Sequence, residues 1–317
     1  MNTGKILRIA AFLIIIILIG YFYSLEFNKN WDSLQHFKFA IKFHYLIFSF
    51  FLFLITYFLE TYVWHVCINR HIGRHALDFT QSIAVVNSSG VLKYLPGRIW
   101  TYTAQLLWLK KYGISKSVIL YVNLICILGS VIVSLYLGLI YLGLYTHLLS
   151  RELIIFLFFV LALTNTAFIL WNSLILNKLI AIAEKLFNKE ISPLNYSKSL
   201  LVFIQFIYTC SWLLLGLSGY FLAKGVGLNI AYNEVFALLA SMSLSWLAGY
   251  FAVFAPGGLG VREGMMLLML SDIVTPQMAL IFPILSRVMY LAAEALMGLA
   301  AFLLGLKYKI FSAGERH

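Results

Sequence analysis

Charged side chains are scarce in this sequence: they make up 11% of its 317 residues, against about 25% in an ordinary soluble domain. Acids are scarcer than bases, with 12 Asp and Glu facing 23 Lys and Arg. Proline is rare, with five in the whole chain, and cysteine rarer, with three. The lack of charge excludes a water-soluble fold, which would have to expose much apolar surface. The lack of proline leaves long stretches free to be helical. Cys67, Cys126 and Cys210 all lie in apolar runs without CxxC spacing, so they read as small hydrophobes rather than a disulfide framework. No nucleophile elbow, metalloprotease signature or nucleic-acid module is present, and the glycine-rich run 257–264 lacks the strand context of a nucleotide loop. No cofactor and no metal is called for. His65, His71 and His75 have no cysteine or carboxylate to complete a plausible ligand set, and Arg70 and Arg74 interleave with them.

What is there is apolar. Hydrophobic residues reach 62% and the mean hydropathy is +0.92, which points to a multi-pass membrane protein. Six runs of about 17 residues or more are long enough to span, near 7–23, 45–67, 118–145, 153–176, 200–223 and 278–306. The first follows Lys5 and Arg8 and ends in Tyr21, Phe22 and Tyr23 where a cleavage site would need small residues, so a retained signal-anchor helix is expected. The whole chain 1–317 is expected to be one membrane domain.

Two further apolar segments, about 82–109 and 236–270, are each interrupted. The first carries Pro96-Gly97 and the second Pro256-Gly257-Gly258. Proline removes a donor and glycine permits unusual dihedrals, so a continuous helix should stop at both places. At bilayer depth such a break is tolerated only inside protein or beside a water-filled cavity. Both segments are therefore expected to be re-entrant helix pairs. Their spacing predicts an all-α bundle of six spanning helices built from two repeats, about 1–147 and 148–310, followed by a short cytoplasmic tail.

Charge placement orients the bundle. With a cytoplasmic N-terminus and neither broken segment crossing, fourteen of the 23 Lys and Arg flank cytoplasmic ends and five (Lys29, Lys38, Lys42, Arg151 and Lys224) flank outer ends. That obeys the positive-inside rule. Each half then crosses an odd number of times, so the repeats are inverted and their breaks enter from opposite leaflets, a recurrent transporter plan. Both termini are expected in the cytoplasm, with the protein in the cell (inner) membrane.

Ionised side chains are expensive in a bilayer and mark interior sites. Lys93, Arg98, Arg262 and Arg287 lie within apolar segments, and Arg98 and Arg262 fall in the first turns after their breaks. Unsatisfied backbone N–H groups and a guanidinium suit a phosphate, so these four are candidate lipid headgroup ligands. Arg262 pairing with Glu263 or Glu294, and Lys93 and Arg98 snorkelling to the interface, is the structural alternative. Arg287, Tyr290 and Glu294 share one face of the last span and suggest an internal ion pair or a switch. Glu60, Glu263, Glu294 and Tyr290 are candidate coupling residues. No catalytic residue is assigned.

The stretch Lys93-Tyr94-Leu95-Pro96-Gly97, with Trp100 and then Lys111-Tyr112-Gly113-Ile114-Ser115, resembles the first signature of the lysylphosphatidylglycerol synthase transmembrane-region family. Pro256-Gly257-Gly258-Leu259-Gly260-Val261-Arg262-Glu263-Gly264 is similar to its second, and Arg287 stands where that family usually carries an arginine. The resemblance, over about 5–306, implies a helical lipid-translocating fold with two re-entrant elements, and importance for Lys93, Pro96, Gly97, Gly257, Gly258, Arg262, Glu263 and Arg287. Arg98 departs from the family, many members having glycine there. The family's aminoacyl-transferase domain is soluble and lies beyond its membrane region, so this chain is expected not to transfer lysine. The function expected is flippase-like movement of an anionic lipid, either a phospholipid or a polyprenyl-phosphate-linked intermediate. A scaffold for a separate lipid-modifying synthase, or a membrane-embedded transferase, is the alternative. Membrane lipids are the expected partners, and no nucleic acid.

Overall fold

Inside a bilayer every backbone N–H and C=O has to find a partner within the protein, and helices do so locally. The computed structural model describes residues 17, 20–21, 24–72, 76–95, 99–187, 196–252 and 255–311, and it is all-α, with no strand among the described residues. The helices are α1 (Trp31–Gln35), α2 (Phe43–Ile72), α3 (Phe79–Gly90), α4 (Ile99–Leu109), α5 (Lys116–Tyr145), α6 (Arg151–Phe187), α7 (Lys198–Gly225), α8 (Val235–Phe251), α9 (Val261–Leu270) and α10 (Pro276–Lys307). Local chemistry sets their starts. The Ser115, Ser197 and Thr275 hydroxyls accept from the backbone N–H three residues on, at 3.3–3.4 Å, which satisfies one orphan donor at each N-terminus.

Six helices are long and apolar enough to cross a membrane: Phe43–Arg70, Lys116–Tyr145, Arg151–Leu174, Lys198–Gly225, Tyr232–Phe251 and Pro276–Lys307. Five coincide with expected spans. The run 7–23 falls outside the described residues except at 17, 20 and 21. The sixth qualifying helix, Tyr232–Phe251, lies in the second broken segment, so its first arm is longer than a half-depth arm needs to be. The arms of the first broken segment are shorter, with 12 residues in α3 and 11 in α4, or about 17 Å each.

The connections sort to two ends of the bundle. At one end the Tyr196 hydroxyl donates to the Cys67 carbonyl (3.1 Å), Asn69 Nδ2 donates to the Leu77 carbonyl (2.9 Å) and Lys111 Nζ donates to the Lys309 carbonyl. These bonds gather the end of α2, the approaches to α3 and α7, and the ends of α4 and α10. At the other end Lys42 N–H donates to Gly225 O (2.8 Å), and the Tyr145 and Tyr141 hydroxyls donate to the carbonyls of Asn233 and Met269. There the start of α2, the ends of α5, α7 and α9, and the start of α8 converge. The start of α3 and the end of α4 thus lie among the first group of contacts, and the start of α8 and the end of α9 among the second.

Short 3-10 turns mark the interruptions, at Val91–Tyr94 and Pro256–Gly258, and the two turns touch. Gly257 and Gly258 have φ of +60° and +74°, a region open to glycine at little cost. The Tyr94 ring lies so close to Gly257 that an added Cβ would fall 2.3 Å from its Cε1.

Helices α2 and α7 run antiparallel along their length. Leu46 packs on Gly225, Tyr62 meets Phe203 at 6.3 Å, and between them Ser49 and Ser218 each donate to the other's carbonyl at 2.9 Å. Close approach elsewhere also uses small residues: Gly138 of α5 faces Leu244 of α8, and Gly298 of α10 faces Val91 just beyond α3. These two glycines are 160 positions apart, the same offset as Pro96 and Pro256. Two apolar clusters result, one around Trp64, Ile68, Ile119 and Ile204 and one around Phe53, Leu238, Leu267 and Phe282. Along α2, Glu60 falls between Phe53 of one and Val63 of the other.

Candidate functional site

Where a helix stops at depth, its freed carbonyls and N–H groups need polar partners. At the second break the partner is Arg287 of α10, 8% exposed, which donates to the Gly257 carbonyl at 2.9 Å. Its Nε lies 3.2 Å from a carboxylate oxygen of Glu263 in the first turn of α9. At the first break the partner is Glu294, one and two turns beyond Tyr290 and Arg287 on α10 and 5% exposed. One of its oxygens takes Lys93 Nζ at 2.6 Å and the other accepts from the Tyr94 hydroxyl at 2.6 Å. Helix α10 therefore holds both breaks, each through an ion pair.

Tyr290 sits at the centre. Its hydroxyl accepts from Lys93 at 3.1 Å. Its ring has Lys93 Nζ at 5.0 Å, the Arg262 guanidinium at 5.4 Å and the Arg287 guanidinium at 5.6 Å from the centroid, within the range where a ring quadrupole attracts a cation. Arg262, in the first turn of α9, lies over Gly249 of α8, where an added Cβ would come within 2.4 Å of its Cγ. Its Nε is buried and carries no hydrogen bond among the described residues.

Two adjoining cavities, of about 60 and about 210 Å³, share Tyr57, Glu60, Trp246, Arg262 and Tyr290 in their walls. The larger also reaches Lys93, Glu294, Asn87 and the Tyr102 and Tyr250 hydroxyls, which meet at 3.3 Å. It has room for several waters or a compact polar headgroup. Behind it a polar layer fixes the short helices: Asn87 donates to Thr61 (3.0 Å), Gln105 to Ser89 (2.9 Å) and Asn123 to Gln105 (2.7 Å).

Of the residues expected at the site, Glu60, Lys93, Arg262, Glu263, Arg287, Tyr290 and Glu294 come together around this chamber, and Gly257 of the Pro256–Gly258 turn lines it. Pro96, Gly97 and Arg98 lie outside the described residues. The partners differ from those the sequence suggested. Arg262 forms no ion pair with Glu263 or Glu294, and Glu294 pairs with Lys93 rather than with Arg287 on its own helix. Lys93 turns inward instead of snorkelling. His65 contacts Ser82 Oγ at 2.9 Å.

The family model for the lysylphosphatidylglycerol synthase TM region matches residues 6–298. The chain belongs to that family. Both breaks and every charged residue of the chamber fall within the matched region, so the chamber is part of the family domain and not an appendage to it. As a member of the lysylphosphatidylglycerol synthase TM-region family the protein is a multi-pass membrane domain with a lipid-related role. No curated protein and no solved structure matches the chain.

Sequence reasoning missed three residues of the site. Tyr94 stands in the sequence as one residue of the first motif, yet it bridges Glu294 and Gly257. Gly249 gives Arg262 its place, and its signal was the small pair Ala248-Gly249 within a helix. Tyr57 sends a hydroxyl into the chamber wall from an otherwise apolar span, a position readable three residues before Glu60.

Proposed function

We propose that this family member moves lipids with an anionic headgroup between leaflets, passing the headgroup through the chamber while the acyl chains stay in the bilayer. The observation that carries this reading is Arg262. It is a guanidinium at a helix N-terminus, with a buried Nε that has no hydrogen-bond partner among the described residues, facing a cavity between two broken helices. A phosphate there would take hydrogen bonds from the guanidinium and favourable charge from the helix end. Lys93 and Arg287 supply further positive potential, moderated by their carboxylate partners.

Alternating access needs a chamber that opens to each side in turn. Three features support two inverted repeats able to do this: the antiparallel α2–α7 pair, the broken pairs that return to opposite ends, and the matched roles of Gly138 and Gly298. On this reading both broken pairs are re-entrant. Exchanging the two states would break and remake the contacts at Tyr94, Gly257 and Glu294, where the two broken segments meet.

The test is leaflet exchange. Purified protein in liposomes carrying labelled phosphatidylglycerol is expected to speed the loss of inner-leaflet label to a membrane-impermeant reductant added outside, and Arg262→Gln to slow that exchange about tenfold or more, equivalent to one lost charge-assisted bond. Exchange at the protein-free rate, or an Arg262→Gln rate equal to that of the parent, would sink the reading.

A further inference from the structure

The ion pairs at the breaks leave one acid of the chamber without a counter-charge in contact. Glu263 is tied to Arg287 and Glu294 to Lys93. Glu60 makes no ion pair and no hydrogen bond among the described residues, and it lines both cavities with Arg262. The titratable and charged groups that act on it are Tyr57 on its own helix, Tyr208 on α7, Lys93 beyond α3, Arg262 on α9, and Tyr290 and Glu294 on α10. Helix α8 contributes Met242, Ser245 and Trp246 to the smaller cavity and Trp246 and the titratable Tyr250 to the larger.

Among the described residues the chamber's charges cancel, Lys93, Arg262 and Arg287 against Glu60, Glu263 and Glu294. A phosphate diester entering this space adds a negative charge opposite Glu60. Like charges in a low-dielectric cavity repel strongly, and the only carboxylate there free to lose its charge without abandoning a salt bridge is Glu60. We infer that Glu60 binds one proton together with each anionic headgroup. This inference rests on the transport reading, because it requires the headgroup in the chamber. By linkage, whatever factor the proton adds to lipid affinity the lipid adds to proton affinity. A headgroup that brings its own ammonium satisfies Glu60 directly and needs no proton.

Full-length protein in detergent micelles is titrated with short-chain fluorescent phosphatidylglycerol at about pH 5 and about pH 9, a range over which the lipid phosphate and ordinary carboxylates stay ionised and only a carboxylate facing a like charge in a low-dielectric cavity takes up a proton. Proton uptake is followed in weak buffer with an indicator dye. Phosphatidylglycerol is expected to bind about tenfold more tightly at the acid end and to draw protons from solution as it binds. Phosphatidylethanolamine is expected to bind without uptake, and Glu60→Gln to abolish both the pH dependence and the uptake seen with phosphatidylglycerol. The parent protein alone can overturn the inference, by binding phosphatidylglycerol equally at both pH values with no uptake, or by taking up as many protons with phosphatidylethanolamine. Arg262→Gln separates the two possible failures. If it weakens phosphatidylglycerol binding while pH has no effect, only the proton site falls; if binding ignores Arg262 as well, the transport reading falls with it.

Discussion

Tyr94 shows how much of the site depends on single side chains. Its hydroxyl is fixed on Glu294 and its ring fills the space over Gly257, so it cannot swing away from a larger residue there. Gly257→Ala adds a methyl group into that ring at a positive φ and is expected to destabilise the protein by about 1–3 kcal/mol. Thermal unfolding in detergent checks this. Gly257→Ala combined with Tyr94→Ala should recover the part due to the clash and keep the part due to strain. An unchanged melting temperature for Gly257→Ala would mean that the two breaks do not touch. The Lys93–Glu294 pair gives a second expectation. Lys93→Met alone leaves Glu294 buried without its cation, at a cost of about 3 kcal/mol, while Lys93→Met with Glu294→Leu should restore most of it, because an apolar pair needs no desolvation. Equal losses in the single and double variants would contradict a direct pair.

The identity of the charged residues was legible because a charge in an apolar span stands out against its neighbours. Their pairing was not. Arg287, Tyr290 and Glu294 share a helical face and so suggested a local pair, whereas Tyr290 and Glu294 reach Lys93 about two hundred positions earlier. Helical periodicity reports which residues share a face and is silent on which distant element that face meets.

Among the elements, the two breaks were readable for the same kind of reason: adjacent proline and glycine interrupt an apolar helical pattern at both places. The unequal arms were less readable, since α8 has 17 residues before its break and α3 only 12, and hydropathy does not tell a deep arm from a span. The antiparallel contact of α2 with α7 was implied only by the repeat layout, because its signals are two serines in apolar runs. It is directly testable. With Cys67, Cys126 and Cys210 replaced by serine or alanine, the pair Ser49→Cys and Ser218→Cys should oxidise to a disulfide, since the two hydroxyl oxygens stand 2.9 Å apart at backbone positions that hydrogen-bond reciprocally. Cleavage of the chain between α6 and α7 should then leave the halves joined on a non-reducing gel. Separation of the fragments after oxidation would show that α2 and α7 are not neighbours in this register.

At the scale of the whole molecule the two ends of the bundle differ in charge. Among the described residues the first end carries Arg70, Lys110, Lys111, Lys116, Lys198, Lys307 and Lys309 with the acid Asp78, and the second carries Lys29, Lys38, Lys42, Arg151 and Lys224 with Glu26, Asp32, Glu152, Glu234 and Asp272. On the proposed re-entrant arrangement this sorting follows from the broken pairs returning to the ends they left. Had α3–α4 or α8–α9 crossed, basic loops would be divided between the ends. A positively charged end is retained in the cytoplasm during insertion and lies against anionic headgroups, so the first end is expected inside and the second outside. Lys110 and Asp272 are both exposed and lie on opposite ends, which makes them suitable reporters. In intact cells a membrane-impermeant maleimide should label Asp272→Cys and leave Lys110→Cys untouched until the membrane is permeabilised. The two residues also follow different broken pairs, Lys110 the first and Asp272 the second, so the result bears on more than orientation. Labelling of both from outside would require one broken pair to cross the bilayer, the halves would no longer be inverted, and a chamber served from opposite leaflets could not be built from them.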